Sequence, residues 1–319
     1  MKIKFLLGLL VTLLSLNDIV AQSNITNPLF NGFYAADPSI VKHKGFYYVY
    51  ATIDPWGGEE LAVFKTKDFA NYEQIHINWP TKKLCTSATS NTNKVWAPSV
   101  VKKNGKFYMY VSVGGEVWAG TSDSPSGPWK NLKTDSSPLI RKNFIPGYHM
   151  IDAECFIDDD GQAYLYWGSG LNWVNGKCFV VKLKEDMVSF DGDYKEITPP
   201  NYFEGPIMMK RKNTYYLMYS EGKATNCTYK IRYSTSTSPY GPWKEGTTSP
   251  ILQSDENNGV CGPGHHTVFK SGKKYYILFH KIFPQKNAYV LRQLCLGDLD
   301  FDKEGNIRKV EYKTNFAFK

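Results

Sequence analysis

The segment DAECFIDDDGQAYLYWGS, Asp152 to Ser169, joins a short apolar run to an acidic turn and then to a second run rich in aromatic residues. Asp158, Asp159, Asp160 and Gly161 suit a tight turn, because Asp and Gly accept the backbone angles that turns require. Both flanking runs have strand composition, so the whole reads as a β-hairpin. The turn accounts for Asp158 to Asp160 but not for Asp152 and Glu154, which sit among Ile151, Ala153, Cys155 and Phe156. A chain that places charge at the head of an apolar strand has a reason beyond solubility.

The same hairpin recurs along the chain. GFYYVYAT starts at Gly45, GKFYMYVSV at Gly105, GQAYLYWGS at Gly161, NTYYLMYSEG at Asn213 and GKKYYILFH at Gly272, with starts 60, 56, 52 and 59 residues apart. Each follows a short apolar strand: DPSIVKHK, APSVVKKN, DAECFIDDD, EGPIMMKRK or HHTVFKS. A second echo, TSDSPSGPWK (Thr121–Lys130) against STSTSPYGPWK (Ser234–Lys244), lies later in the unit and places Trp129 and Trp243 at matching packing positions. Units of this length with about four strands each are propeller blades. The reading is therefore an all-β, five-bladed β-propeller with four strands per blade, formed as a single domain over residues 22–319.

Composition agrees. Aromatic residues make up 15% of the chain, including 22 Tyr and 18 Phe, which favours strands. The net charge of +8 is spread along turns and edges; its densest cluster is MMKRK (Met208–Lys212), too short for a nucleic-acid-binding stripe. Lys2, Lys4 and the apolar run Phe5–Leu16, followed by Ala21, read as a signal peptide over residues 1–21, so the protein is expected to be exported, periplasmic or secreted. No other stretch is apolar enough to span a membrane. Cys227 and Cys261 flank expected loops and are the better disulfide candidates; Cys155, Cys178 and Cys295 read as buried thiols.

In a propeller the first strand of each blade lines the central axis, and its head opens onto one face. Aligned on the hairpins, the heads are Asp37, Ala97 (after Trp96), Asp152, Glu204 and His265 or His266. Three carboxylates facing one funnel crowd each other and lose water, which drives their pKa values apart. A general acid and a general base need such a divergence at neutral pH. Glu154 and the Asp158–Asp160 run are read as structural.

At these residues a resemblance becomes visible. FYAADPSIV, VWAPSVV, IDAECFIDDDGQAYLYWG, FEGPIMMK and GPGHHTVF, in this order, resemble the blade motifs of glycoside hydrolase family 43, and the likeness runs from Asn27 to the C-terminal strands. The resemblance implies hydrolysis of arabinofuranosides, xylosides or related glycosides with inversion. It implies Asp37 as general base, Glu204 as general acid, and Asp152 as the residue that orients the acid and raises its pKa. It further implies that His265 sits beneath the site near the axis, ligating a calcium ion largely through waters; by itself a lone histidine is a weak calcium signal because calcium prefers oxygen ligands. No organic cofactor is expected.

Trp96 and Phe33 are expected to wall the sugar pocket with flat apolar faces. Arg292, an isolated charge in YVLRQLCL, needs a partner: either the sugar, as in the family, or a buried acid. His280 in ILFHK is a weaker candidate for the same pocket. The expected partner is an oligo- or polysaccharide, with α-L-arabinofuranosidase or β-xylosidase activity foremost. Endo-α-1,5-L-arabinanase, exo-β-galactosidase and a non-catalytic sugar-binding propeller are the alternatives.

Overall fold

The computed structural model describes residues 23–90, 94–174, 176–284 and 290–318; the expected signal peptide lies outside them. Five antiparallel sheets follow one another along the chain. The first consists of Ala35–His43, Phe46–Ile53, Ala62–Thr66 and Glu73–Ile75 in that order. The second consists of Val95–Lys103, Lys106–Val113, Glu116–Ser122 and Lys130–Asn131. The third, Glu154–Ile157, Ala163–Trp167, Phe179–Leu183 and Lys195–Glu196, and the fourth, Glu204–Arg211, Thr214–Glu221, Lys230–Ser236 and Lys244–Glu245, repeat the order. The fifth has Gly264–Ser271, Lys274–Ile282 and Arg292–Leu299. These are the five blades of a β-propeller.

Hairpin chemistry sets the register. Lys44 and Gly45 have φ of 48° and 80°, Asn104 and Gly105 of 50° and 82°, so both turns carry two left-handed residues between paired strand ends. That geometry matches the twist of the strands it joins. The acidic turn at Asp158 is also as read: Gly161 N–H returns to Asp158 O at 2.9 Å.

The propeller has no single central core. Its apolar side chains fill five wedges, one between each pair of neighbouring blades. Tyr50 and Val63 meet Val100, Met109 and Trp129 in one wedge; Tyr166 and Val180 meet Leu217 and Tyr219 in another. Aromatic residues suit this task because one ring spans the gap between two sheets, and each large apolar side chain fully buried contributes roughly 1.5–3 kcal/mol.

The last wedge closes the ring. Tyr276 and Leu278 of the fifth blade pack against Val49 and Phe64 of the first, together with Ile25, Phe316 and Phe318. These last three belong to a separate ribbon in which Ser23–Thr26 pairs antiparallel with Asn315–Phe318. The chain then runs beside the outermost strand of the fifth blade. Leu29 N–H donates to Leu294 O at 2.8 Å, and the Asn27 carboxamide donates to Leu296 O while accepting from its N–H, both at 2.8 Å. The N-terminal segment thus lies where the other blades have a fourth strand. Cys227 and Cys261 are bridged, while Cys85, Cys155, Cys178 and Cys295 are free and buried.

Candidate active site

Each inner strand begins with the same backbone irregularity. Asp37, Ala97, Asp152, Gly205 and His265 all have positive φ, at 51°, 41°, 60°, 61° and 32°. In four blades a β-bulge lies at this point. Bulges of this kind re-aim side chains and cluster at barrel and propeller mouths. The structure corrects one detail of the sequence alignment: Glu204 stands one residue before this position, and Gly205 occupies it. A Cβ at residue 205 would lie 3.1 Å from the His265 ring, so glycine leaves room for that histidine.

The N–H groups of these residues need acceptors because the bulge removes them from the ladder. Thr52 Oγ1 accepts from Ala97 at 2.9 Å, Ser112 Oγ from Asp152 at 3.0 Å, and Ser220 Oγ from His265 at 2.9 Å. His280 Nδ1 accepts from Asp37 at 3.3 Å. Each acceptor sits on the second strand of the preceding blade. The third blade has no such side chain, because Gly168 stands there, and the Asp152 carboxylate itself accepts from Gly205 N–H. This missing hydroxyl ties Asp152 to the residue beside Glu204.

Asp37 is buried but well paired. Arg292 Nη1 donates to its Oδ1 at 2.9 Å, and Nδ1 of both His265 and His280 lies 3.3 Å from the same oxygen. Burial opposes its charge, yet Arg292, helped by the two histidines, holds the carboxyl well below the usual range. Arg292 is in turn gripped by Asp54, whose fully buried carboxylate accepts from Nη2 at 2.7 Å and from Nε at 3.0 Å.

Glu204 has the opposite setting. Ser169 Oγ donates to Oε2 and Tyr229 OH to Oε1, each at 2.8 Å, but among the described residues no cation pairs with it. Burial raises its pKa first, and the negative charge of Asp37 adds to this, against the lowering effect of the two hydroxyls and Arg292. Asp152 is pushed well above the ordinary range by burial and then by Glu204 and Asp37. The two raised carboxyls form a coupled pair that keeps a proton above ordinary carboxylate pKa values. His265, its pKa lowered to about 4 mainly by burial, is neutral between Asp37 and Asp152.

These groups open into a cavity of about 310 Å³, lined by Asp37, Asp152, Glu204, His265 and Arg292 and walled by Trp56, Trp96, Trp173 and Phe203. An anionic carboxylate, a proton-holding carboxyl pair and apolar walls suit acid–base attack on a polar ring compound.

Two expectations need correction. Phe33 does not line the cavity: its ring packs edge-on against Phe30 and Phe64 in the closing wedge. His280 is fully enclosed behind Asp37 and faces that carboxylate instead of the cavity. Trp96 does line it, with Nε1 donating to Trp56 O at 2.9 Å. Arg292 lines it as well, but its guanidinium is engaged by Asp37 and Asp54. Glu154 is held apart, accepting from Ser99 Oγ at 2.7 Å with its carboxyl raised to about 8 by burial.

Sequence reasoning missed Asp54, Trp56, Ser169, Trp173, Phe203 and Tyr229. Ser169 ends the motif quoted at the outset, so its place beside the acidic head was the one available signal. Asp54 and Arg292 are 238 positions apart, and nothing local links them.

Calcium takes about six to eight oxygen ligands. Among the described residues no three His, Cys, Asp or Glu side chains converge as a metal group. His265 Nδ1 is directed at Asp37 and Asp152.

Comparison with known proteins gives the family of the chain. The chain is 34% identical over 301 residues to a β-D-galactofuranosidase of Aspergillus niger, covering 89% of this chain and 84% of the relative. It is 30% identical to an arabinoxylan arabinofuranohydrolase of Bacillus subtilis, covering 96% and 69%. A thermostable family-43 glycoside hydrolase of known structure superposes with a TM-score of 0.75 at 27% identity, covering 91% and 96% of the two chains. Residues 25–307 match the glycosyl hydrolases of family 43, and the chain belongs to that family of glycoside hydrolases.

Proposed function

We propose that this protein is an exported, inverting exo-glycosidase that removes a furanosyl unit from plant-type oligo- or polysaccharide, α-L-arabinofuranose first. Asp37 acts as general base on the attacking water, Glu204 as general acid on the glycosidic oxygen, and Asp152 positions Glu204 and raises its pKa. In inverting enzymes the two carboxyls flank the sugar with room for that water. The observation that carries the reading is the electrostatic split across one cavity: an arginine-paired, anionic Asp37 facing a carboxyl pair that retains a proton. Export rests on the leader sequence over residues 1–21.

β-D-Galactofuranose is the second candidate, favoured by the 34% identical relative. Galactofuranose and arabinofuranose share a five-membered ring, and galactofuranose carries one more exocyclic carbon. β-D-Xyloside completes the set of substrates to be compared. The test is release of p-nitrophenol from the three aryl glycosides by wild type and Glu204→Ala, with the anomer of the first product read by NMR. Release of one sugar as the inverted anomer supports the reading. A retained anomer overturns the mechanism, and silence on all three overturns the exo-acting reading.

A further inference from the structure

The loop Leu171–Val174 leaves the third blade at the rim of the cavity. Six large apolar side chains are exposed among the described residues, and three are here: Leu171 at 42%, Trp173 at 39% and Val174 at 56%. Half of these six therefore lie in four consecutive residues, at the mouth of the cavity. Leu171 and Trp173 also line that cavity. Exposed apolar patches beside polar sites mark binding surfaces.

The loop is built against the acid. Ser169, its anchor, donates to Glu204 Oε2 and pairs with His149 in a short two-stranded ribbon. Trp173 stacks on Phe203, the residue before Glu204, with ring centroids 5.8 Å apart and planes 11° from parallel. Gly170 packs so closely on Phe203 that a Cβ there would lie 2.4 Å from its ring. Asp37 and Arg292 belong to other blades and have no bond to this loop. The platform therefore stands beside the carboxyl that protonates the leaving oxygen. Whatever is bonded to that oxygen on its far side is the leaving group.

We propose that Trp173, with Leu171 and Val174, forms a binding subsite for the leaving group, and that this group is a sugar chain whose C–H face stacks on the indole. The inference rests on the glycosidase reading given above and adds to it the residues that hold the leaving group. The cavity, at about 310 Å³, lies at the small end of the roughly 300–1,000 Å³ typical of ligand sites. It suits the ring being released, so the chain that remains lies outside, over the loop. Trp173 acts by positioning: it takes no part in proton transfer.

The experiment compares kcat/KM on α-L-arabinofuranosyl fluoride, which has no leaving chain, with that on an arabinofuranosylated xylo-oligosaccharide. If the aryl panel names galactofuranose, the galactofuranosyl pair replaces them. Wild type, Trp173→Ala and Trp173→Phe are measured, with melting curves to confirm folding. The expected result for Trp173→Ala is a loss on the oligosaccharide about tenfold greater than its loss on the fluoride, carried mainly by KM. Trp173→Phe keeps most of the oligosaccharide activity. An unchanged oligosaccharide rate in Trp173→Ala overturns the subsite and leaves the glycosidase reading intact. Equal losses on both substrates also overturn it, in favour of a role in holding Phe203 and the acid. A wild type inert on both substrates overturns the glycosidase reading and the subsite together.

Discussion

Asp37 and Glu204 are carboxylic acids of one cavity, exposed by 6% and 9%, and their surroundings treat them in opposite ways. Asp37 has a guanidinium against it and two imidazoles within 3.3 Å; Glu204 has two neutral hydroxyls and another carboxyl. Burial alone would raise both. The difference teaches that desolvation supplies the driving force for a pKa shift, while the nearest cation decides its sign. Arg292 does this for one residue only, because Asp54 fixes it on the Asp37 side.

The sharpest way to break the comparison is to exchange charge for amide at each carboxyl. Glu204→Gln is expected to lower kcat by about 10³-fold on a sugar leaving group, within the range for general acid catalysis. Most of that loss returns with a dinitrophenyl leaving group, which needs little protonation. Asp37→Asn loses a similar amount and recovers nothing with the activated substrate. Steady-state kinetics on both substrates decide it, and equal recovery by both variants would end the distinction between the two sides.

Removing the cation comes next. Arg292→Met leaves Asp37 and Asp54 buried without their partner, and breaking such a pair costs about 3–5 kcal/mol. Urea unfolding should show that loss, with part of it regained in Arg292→Met/Asp54→Asn. Arg292 lowers the pKa of Asp37, so its removal raises it. Any activity left should have its acidic limb moved to higher pH.

Tyr229→Phe probes the other side more gently. Its hydroxyl stabilises ionised Glu204, so deletion raises that pKa and moves the basic limb of kcat/KM to higher pH. The stability change is about 1 kcal/mol, read from denaturant midpoints. An unmoved basic limb would show that Tyr229 does not tune the acid.

The smallest effect concerns stability alone. Asp152 has a folded pKa above its unfolded value, so the fold favours its protonated form. Its contribution is complete below the unfolded pKa and disappears as pH rises through the folded one. Asp152→Asn keeps a neutral group at every pH. It should stabilise the protein by about 1 kcal/mol at pH 8 and by little at pH 5, measured by thermal melts at both. Asp37 has the reverse sign: its contribution is present above the unfolded pKa and is lost on acidification.

Much of this was legible in the chain. The hairpins at Gly45, Gly105, Gly161, Asn213 and Gly272 announced five blades, because a strand's alternation and its turn residues are local properties. Asp37, Asp152 and Glu204 stood out for a related reason: a charge at the head of an apolar strand conflicts with its neighbours. Cys227 and Cys261 were singled out by their loops. Phe33 was misread because an aromatic residue near a strand head looks alike whether it faces a cavity or a wedge. The one-residue offset of Glu204 was hidden because the bulge that creates it is a feature of backbone geometry.

The sequence by itself determined the repeat, the strand order within each blade and the identity of the three acids, since all are encoded within stretches of a few tens of residues. Tertiary structure alone decided how those acids differ. The Asp54–Arg292–Asp37 chain joins the first blade to the fifth, and Tyr229 reaches Glu204 from the outer part of its own blade. Ring closure by the N-terminal segment beside Arg292–Leu299 is of the same kind. A carboxyl's charge state depends on which cations and hydroxyls lie within a few ångströms of it, and in a closed ring those neighbours come from blades far apart in the chain.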